Sequence, residues 1–206
     1  MDVPIEVWRT TEQDFCRVQN SVVGLGPTRK IILADQIFSE WDDAQIEAAF
    51  AHELKHYLLD NTWVPVAIIS VIAVAGCLFV YVGGNYVCRR WNKRVGFSSL
   101  AVPAAIPLLA VLLQIYMLVA TPAFNLTAQQ VELAADRFAL ELTRNNDARA
   151  RVSADKCGLW LPEDTLYARL YLFTHPSLAR RLRLANEYRP WETGEPLAYE
   201  NLINFP

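Results

Sequence analysis

Two long uncharged stretches organise the hydrophobic pattern of this chain. No Asp, Glu, Lys or Arg occurs between residues 63 and 88, or between residues 95 and 131. Each stretch exceeds the roughly 20 apolar residues that carry a helix across a bilayer core. The pattern predicts transmembrane helices at residues 62–88 and 98–122, joined by a short loop at residues 89–97 that carries Arg89, Arg90, Lys93 and Arg94. Trp63 and Trp91 bracket the first span. At 1.5 Å per helical residue they lie roughly 42 Å apart, close to the ~40–45 Å of a bilayer with its headgroups, whose interfaces Trp favours. Gly83 and Gly84 allow close packing or a bend, and Pro103 and Pro107 fall in the early turns of the second span, where either could kink it.

Outside the spans the periods change. Residues 4–9, 15–23 and 29–33 have the make-up of short strands, the last following the turn signal Gly24-Leu25-Gly26-Pro27. They predict a small antiparallel sheet, either purely structural or with an edge free to pair with an extended peptide. Ser39 and the acidic Asp42 and Asp43 then announce a helix, with Ile46, Ala49, Phe50, Leu54, Tyr57 and Leu58 on its apolar face and an end near residues 60–61. A further amphipathic helix is predicted over residues 130–140, and a last one after His175, with Pro176 in its first turn. The polar tail beyond Trp191 is expected to be loosely ordered. The fold class is thus a mainly α membrane protein (α+β) with a small N-terminal sheet and a transmembrane hairpin. A hairpin returns the chain to the side it left, so residues 1–61 and 123–206 must meet at one membrane face. Neither piece is large enough to form a confident core alone.

Composition narrows the function classes. A net charge of −3 without a basic, aromatic-interleaved stripe argues against a nucleic-acid partner. The four cysteines, Cys16, Cys77, Cys88 and Cys157, have no C-x-x-C spacing and read as small buried hydrophobes. Neither apolar stretch sits at the N-terminus, so neither reads as a signal peptide.

The candidate chemistry lies in the three histidines, His52, His56 and His175. His52-Glu53-Leu54-Lys55-His56 is an H-E-x-x-H pattern. On a helix, positions i and i+4 share a face, so both imidazoles can reach one zinc ion, with Glu53 placed to act on a water. Glu132 and Asp136 are also four apart. They are either a solvated acidic pair or a third ligand with an aspartate behind an imidazole, and their place directly after the hairpin favours the second. His175 alone reads as a capping or packing residue, and Arg180 and Arg181 as surface charges.

The ordered set His52-Glu53-x-x-His56, two spans, Glu132-x-x-Ala135-Asp136, then Thr174-His175-Pro176 with Arg181 five residues past the proline, resembles one family. It is similar to the membrane zinc metallopeptidases that include the CAAX prenyl proteases and the HtpX-type quality-control proteases, and Asn20-Ser21-x-x-Gly24 and Lys30–Asp35 resemble that family's strands. The likeness covers roughly residues 4–188. It implies one Zn2+ per chain on His52, His56 and Glu132, with Glu53 as general base and Asp136 behind the ligands. His175 and Arg181 would bind substrate or steady the oxyanion, and Asn20, Ser21, Val22 and Val23 would form the edge that pairs with substrate. The chain departs from the pattern at Lys55, where the family usually has glycine, and at Ala128-Gln129-Gln130, where Ser-Arg-Arg is common. It also begins almost at the catalytic region, as a minimal member or a fragment of a longer protein would.

The expectation is an integral-membrane, multi-pass zinc endopeptidase acting on protein or peptide, including membrane-bound or prenylated substrates. The alternative is a catalytically inactive relative that binds peptide or metal. By the positive-inside rule the basic loop is cytoplasmic; the resemblance instead puts the site on the cytoplasmic face, and that side is the one expected here.

Overall fold

The computed structural model describes residues 3–9, 20–59, 63–154 and 165–203. Strands β1 (Ile5–Trp8), β2 (Ser21–Val23) and β3 (Lys30–Ala34) form one sheet in the order β1–β3–β2. The centre goes to β3 because Ile31, Ile32, Leu33 and Ala34 are all buried, as a strand covered on both faces should be. β2 runs antiparallel to β3, Val22 opposite Ile31. Their turn needs Gly24, whose φ is +91° and where a Cβ would strike the Thr28 carbonyl. β1 instead runs parallel to β3, Ile5 opposite Ile31. The sheet is therefore mixed, not antiparallel as expected. Alternation along a strand reports which face is buried and says nothing of strand direction. Of the strand expected at residues 15–23, the part before Asn20 lies outside the described residues, as do Cys16 and Cys157.

A single turn, α1 (Ile37–Glu40), leads into α2 (Asp43–Leu58). The start of α2 is set by Asp42, not by Ser39. The Asp42 carboxylate accepts from Gln45 N at 2.9 Å while Gln45 Oε1 accepts from Asp42 N at 3.4 Å, a reciprocal cap. Ile31, Leu33, Ala34, Ile37, Leu54 and Phe138 form the buried core between sheet and helices.

The first apolar helix, α3 (Trp63–Val95), does not stop at residue 88. It continues through Arg89, Arg90, Lys93 and Arg94, with one non-helical residue at Trp91, and the chain turns only at Gly96 (φ +80°). The basic segment is thus mostly helix rather than loop. The Pro103–Ala105 segment is a short 3-10 turn leading into α4 (Ile106–Thr143). This second helix also overruns its expected end. Residues 106–122 of the expected span and the amphipathic helix at 130–140 belong to one helix of 38 residues, and residues 98–105 of that span lie outside it. Pro107 stands in the first turn of α4, where no N–H is needed and no kink results. Both helices are long and apolar enough to cross a membrane. They touch where α3 has no side chain. A Cβ at Gly76 would come within 2.9 Å of the Tyr116 ring and one at Gly83 within 3.4 Å of Leu112, while Gly84 faces Leu100 of the connecting segment at 2.9 Å. The Tyr116 hydroxyl donates to the Ile72 carbonyl at 2.6 Å.

Beyond α4 the chain makes a tight corner. Arg144 adopts a left-handed φ of 50°, and α5 (Asn146–Ser153) begins at once, with the Asn145 side chain accepting from Ala148 N at 3.0 Å. Ala168–Leu172 is a π-helical turn. The last long helix, α6 (Leu178–Glu187), starts after Pro176, with Ser177 as its cap. Short turns α7 (Pro190–Thr193) and α8 (Glu200–Ile203) follow. The tail beyond Trp191 is not loose. Buried Glu141 of α4 accepts from Ala198 N and Tyr199 N, both at 2.9 Å, and from the Tyr188 hydroxyl at 2.5 Å. Tyr199 also packs edge-on against Phe138, 5.6 Å between ring centroids.

Candidate metal centre

The two ends of the hairpin bring α2 and α4 into contact, and the site lies between them. His52 and His56, one turn apart on α2, have ring centroids 5.1 Å apart. Glu132 of α4 faces both, with Oε2 3.3 Å from His52 Nε2 and Oε1 3.6 Å from His56 Nε2. One ligand atom from each residue lies within 4.8 Å of the other two. A tetrahedral ion with bonds near 2.05 Å separates its ligand atoms by about 3.3 Å. The two histidine–carboxylate distances lie near that value, though to different Glu132 oxygens, and two imidazoles with one carboxylate are a donor set zinc accepts.

Asp136, one turn beyond Glu132, holds the far side of His52. Its Oδ1 accepts from His52 Nδ1 at 2.8 Å, so a neutral His52 keeps its proton on Nδ1 and turns Nε2 toward Glu132. The same carboxylate takes Arg181 Nε at 2.8 Å and Arg181 Nη2 at 2.9 Å, and Arg149 Nη2 at 2.6 Å. Asp136 and Arg149 are each 2% exposed, so these are charge-assisted bonds away from water. Arg181, expected at the substrate, has two donors committed to Asp136.

Arg149 escaped the sequence reading altogether. The stretch Asp147-Ala148-Arg149-Ala150-Arg151 looks like a solvated helix, and Arg151 does lie on the surface, paired with Asp42 and Asp147. Only the corner between α4 and α5 turns Arg149 inward. Burial lowers its guanidinium to about 10, with Asp136 opposing.

Burial also sets the titration of the α2 residues. It pushes His56 down to about 4, so the ring is neutral and free to bind metal. It pushes the Glu53 carboxyl up from the usual range. For His52, burial works downward, but its hydrogen bonds to Asp136 and Glu132 prevail and raise it, so that without a metal a second proton on Nε2 faces Glu132, in the place an ion would take. Lys55 is 3% exposed and donates to the Val131 carbonyl at 3.4 Å. The residue that breaks the family's usual small position therefore lies between α2 and α4 beside the ligands, and burial lowers its pKa.

His175 approaches from the third side. Its Nε2 is 3.8 Å from Glu132 Oε2 and its ring is mostly exposed. It is the one candidate that touches both the ligand cluster and solvent. The proposed edge strand behaves differently along its length. Ser21–Val23 is β2 at one margin of the sheet and packs against α2. Asn20 just precedes it, with Oδ1 accepting from Ala34 N at 3.1 Å, so its side chain closes the end of β3.

The family model described as peptidase family M48 matches residues 16–189. The chain belongs to peptidase family M48. Among M48 relatives, it is 27% identical over 176 residues to the uncharacterized metalloprotease YhfN of Bacillus subtilis (strain 168), a match covering 81% of this chain and 39% of that protein. It is 30% identical over 168 residues to the CAAX prenyl protease 1 homolog of Arabidopsis thaliana, covering 78% of this chain and 38% of that one. The crystal structure of S. mikatae Ste24p superposes with a TM-score of 0.56 at 23% identity, over 80% of this chain and 41% of that one, and so shares the fold. The chain spans about two fifths of the length of each. The tail held by Glu141 lies beyond the stretch the M48 model matches.

Proposed function

We propose that this M48 chain is an integral-membrane zinc endopeptidase, or the catalytic part of one. The observation that carries the reading is the convergence of His52, His56 and Glu132 at spacings that suit one tetrahedral ion, with Asp136 bonded to the far nitrogen of His52. Zinc bound there supplies a Lewis acid for a peptide carbonyl and lowers the pKa of a water. Glu53, buried beside both histidines, takes the proton of the attacking water and returns it to the leaving amine. Asp136, fixed by Arg149 and Arg181, keeps His52 in the tautomer a ligand needs. His175, exposed next to Glu132, is the donor for negative charge developing on the carbonyl oxygen. The outer edge of β2, unpaired among the described residues, pairs with an extended substrate segment.

α2, directly before the first apolar helix, and Glu132, on the second, support a site at the membrane surface; the cytoplasmic face is carried over from the family resemblance alone, against the basic end of α3. The printed name of the Arabidopsis relative makes a prenylated peptide the first substrate class to try. The test is Glu53→Gln in the purified protein, assayed for zinc and for cleavage of casein and a prenylated peptide. Zinc retained at one per chain with cleavage lost supports the reading. Wild-type protein without zinc, or cleavage indifferent to Glu53→Gln or to chelator, overturns it.

A further inference from the structure

Pro122 lies inside α4 and has no N–H to offer the Leu118 carbonyl four residues earlier. In an apolar stretch such an orphan needs another donor. Here it has one: the Tyr171 hydroxyl donates to Leu118 O at 3.0 Å. Two buried amides of α4 seize the same segment further along. Asn125 Nδ2 donates to Leu170 O at 2.9 Å, and Gln129 Nε2 donates to Arg169 O and Phe173 O, both at 2.8 Å. The π-helical turn Ala168–Leu172 is thereby laid alongside α4, and Tyr171 reaches about 10 Å past Asn125 into the uncharged stretch, at 1.5 Å per residue.

The outer side of this segment is apolar and bare. Leu166, Tyr167 and Leu172 are 69%, 65% and 56% exposed, and on the neighbouring stretch of α4 Leu118 and Val119 are 60% and 75% exposed. The patch is continuous with the surface of the hairpin. Two tyrosines with ring centroids 5.5 Å apart, Tyr167 and Tyr171, match the composition of a membrane interface.

We propose that residues 165–172 form a membrane-docking segment, with Leu166, Tyr167 and Leu172 inserted at the headgroup–acyl boundary beside the hairpin. The inference rests on the reading that α3 and α4 span a bilayer. A bilayer, rather than a protein partner, is the occupant because the patch extends the same apolar surface that those helices present. The segment ends at Phe173, two residues before His175, so the membrane surface sets the height of the third wall of the metal centre. Substrate then enters along the bilayer.

The test places a nitroxide at position 167 (Tyr167→Cys) in the full chain with its native cysteines replaced, reconstituted in phosphatidylcholine–phosphatidylglycerol vesicles. Collision with oxygen is compared with collision with a water-soluble nickel chelate. Val119→Cys reports the hairpin, and Asp147→Cys reports a water-facing helix. The expected result is that positions 119 and 167 favour oxygen while 147 favours nickel. Position 167 behaving like 147 while 119 stays in lipid would overturn the proposal, as would shielding of 167 from both reagents, the sign of a protein partner. Water exposure at 119 itself would instead overturn the membrane reading of the hairpin, and this proposal with it.

Discussion

Removing the charge of Asp136 should damage both the fold and the metal site, in amounts the structure sets. Its carboxylate accepts four bonds, one from His52, one from Arg149 and two from Arg181, at 2.6–2.9 Å. In Asp136→Asn the amide retains one acceptor oxygen, turns an NH2 toward donors, and leaves two guanidinium groups without a counter-charge. Breaking a buried ion pair from one side costs about 3–5 kcal/mol. Loss of the acceptor on His52 Nδ1 also lets the ring move its proton to Nε2, the nitrogen that faces Glu132. Substitutions at such supporting positions lower metal affinity about 10–100-fold, which is about 1.4–2.8 kcal/mol. The assay is competition for zinc against a chromogenic chelator in detergent, alongside thermal unfolding of the metal-free protein. Arg149→Gln and the double variant complete a cycle, and because Arg149 touches the same carboxylate the two effects should not add. Asp136→Asn with wild-type zinc affinity, or a cycle that is additive in zinc affinity, would refute the argument that Arg149 and Asp136 act on His52 as one unit.

Other outcomes follow from single contacts. His56 sits at about 4 against 6.5 for a free imidazole, so the unfolded chain takes up that proton first as pH falls. Metal-free protein should keep the full contribution above pH 6.5 and lose it as pH falls toward 4, about 3 kcal/mol in all; denaturant melts of chelator-treated protein at pH 7.5 and 4.5, against His56→Gln, check this, and an unchanged difference between the two proteins contradicts it. Glu141→Gln turns an amide NH2 toward backbone N–H donors of the tail, and should cost about 2–3 kcal/mol and expose the C-terminal residues to limited proteolysis. Tyr171→Phe should destabilise the protein by about 1 kcal/mol, and by less in a Pro122→Ala background, where the helix supplies its own donor to Leu118. Gly76→Ala pushes a methyl into the Tyr116 ring and should cost about 1–3 kcal/mol, read as a lower unfolding temperature of the reconstituted hairpin.

Much of this protein is written in local chemistry. An uncharged run needs no partner to declare itself apolar, so the hairpin was legible, and so was the pairing of His52 with His56, because the α-helical repeat alone puts them on one face. Glu132 and Asp136 were legible as a pair for the same reason. Gly83 and Gly84 pointed to close packing; Gly83, with Gly76, provides it against α4, and Gly84 against the connecting segment. The misjudged boundaries are those where a second signal overrode the first: arginines after an apolar run suggest a loop, yet α3 carries them on as helix to Val95.

The sequence by itself determined a two-helix apolar hairpin, a zinc-type motif on the helix before it and an acidic pair after it. Those features depend on residues within a few turns of one another. Only the tertiary structure decided that most of the second span and the acidic pair are one continuous helix, which fixes the register of Glu132 to the apolar stretch of α4. It alone decided that β1 runs parallel to β3, that Glu141 holds the tail, and that Arg149 and Arg181 converge on Asp136. A buried arginine and a surface arginine share one local signature, as Arg149 and Arg151 do two residues apart. Which of them meets a carboxylate depends on a corner at Arg144 and on helices distant in sequence, and that is a property of the folded chain.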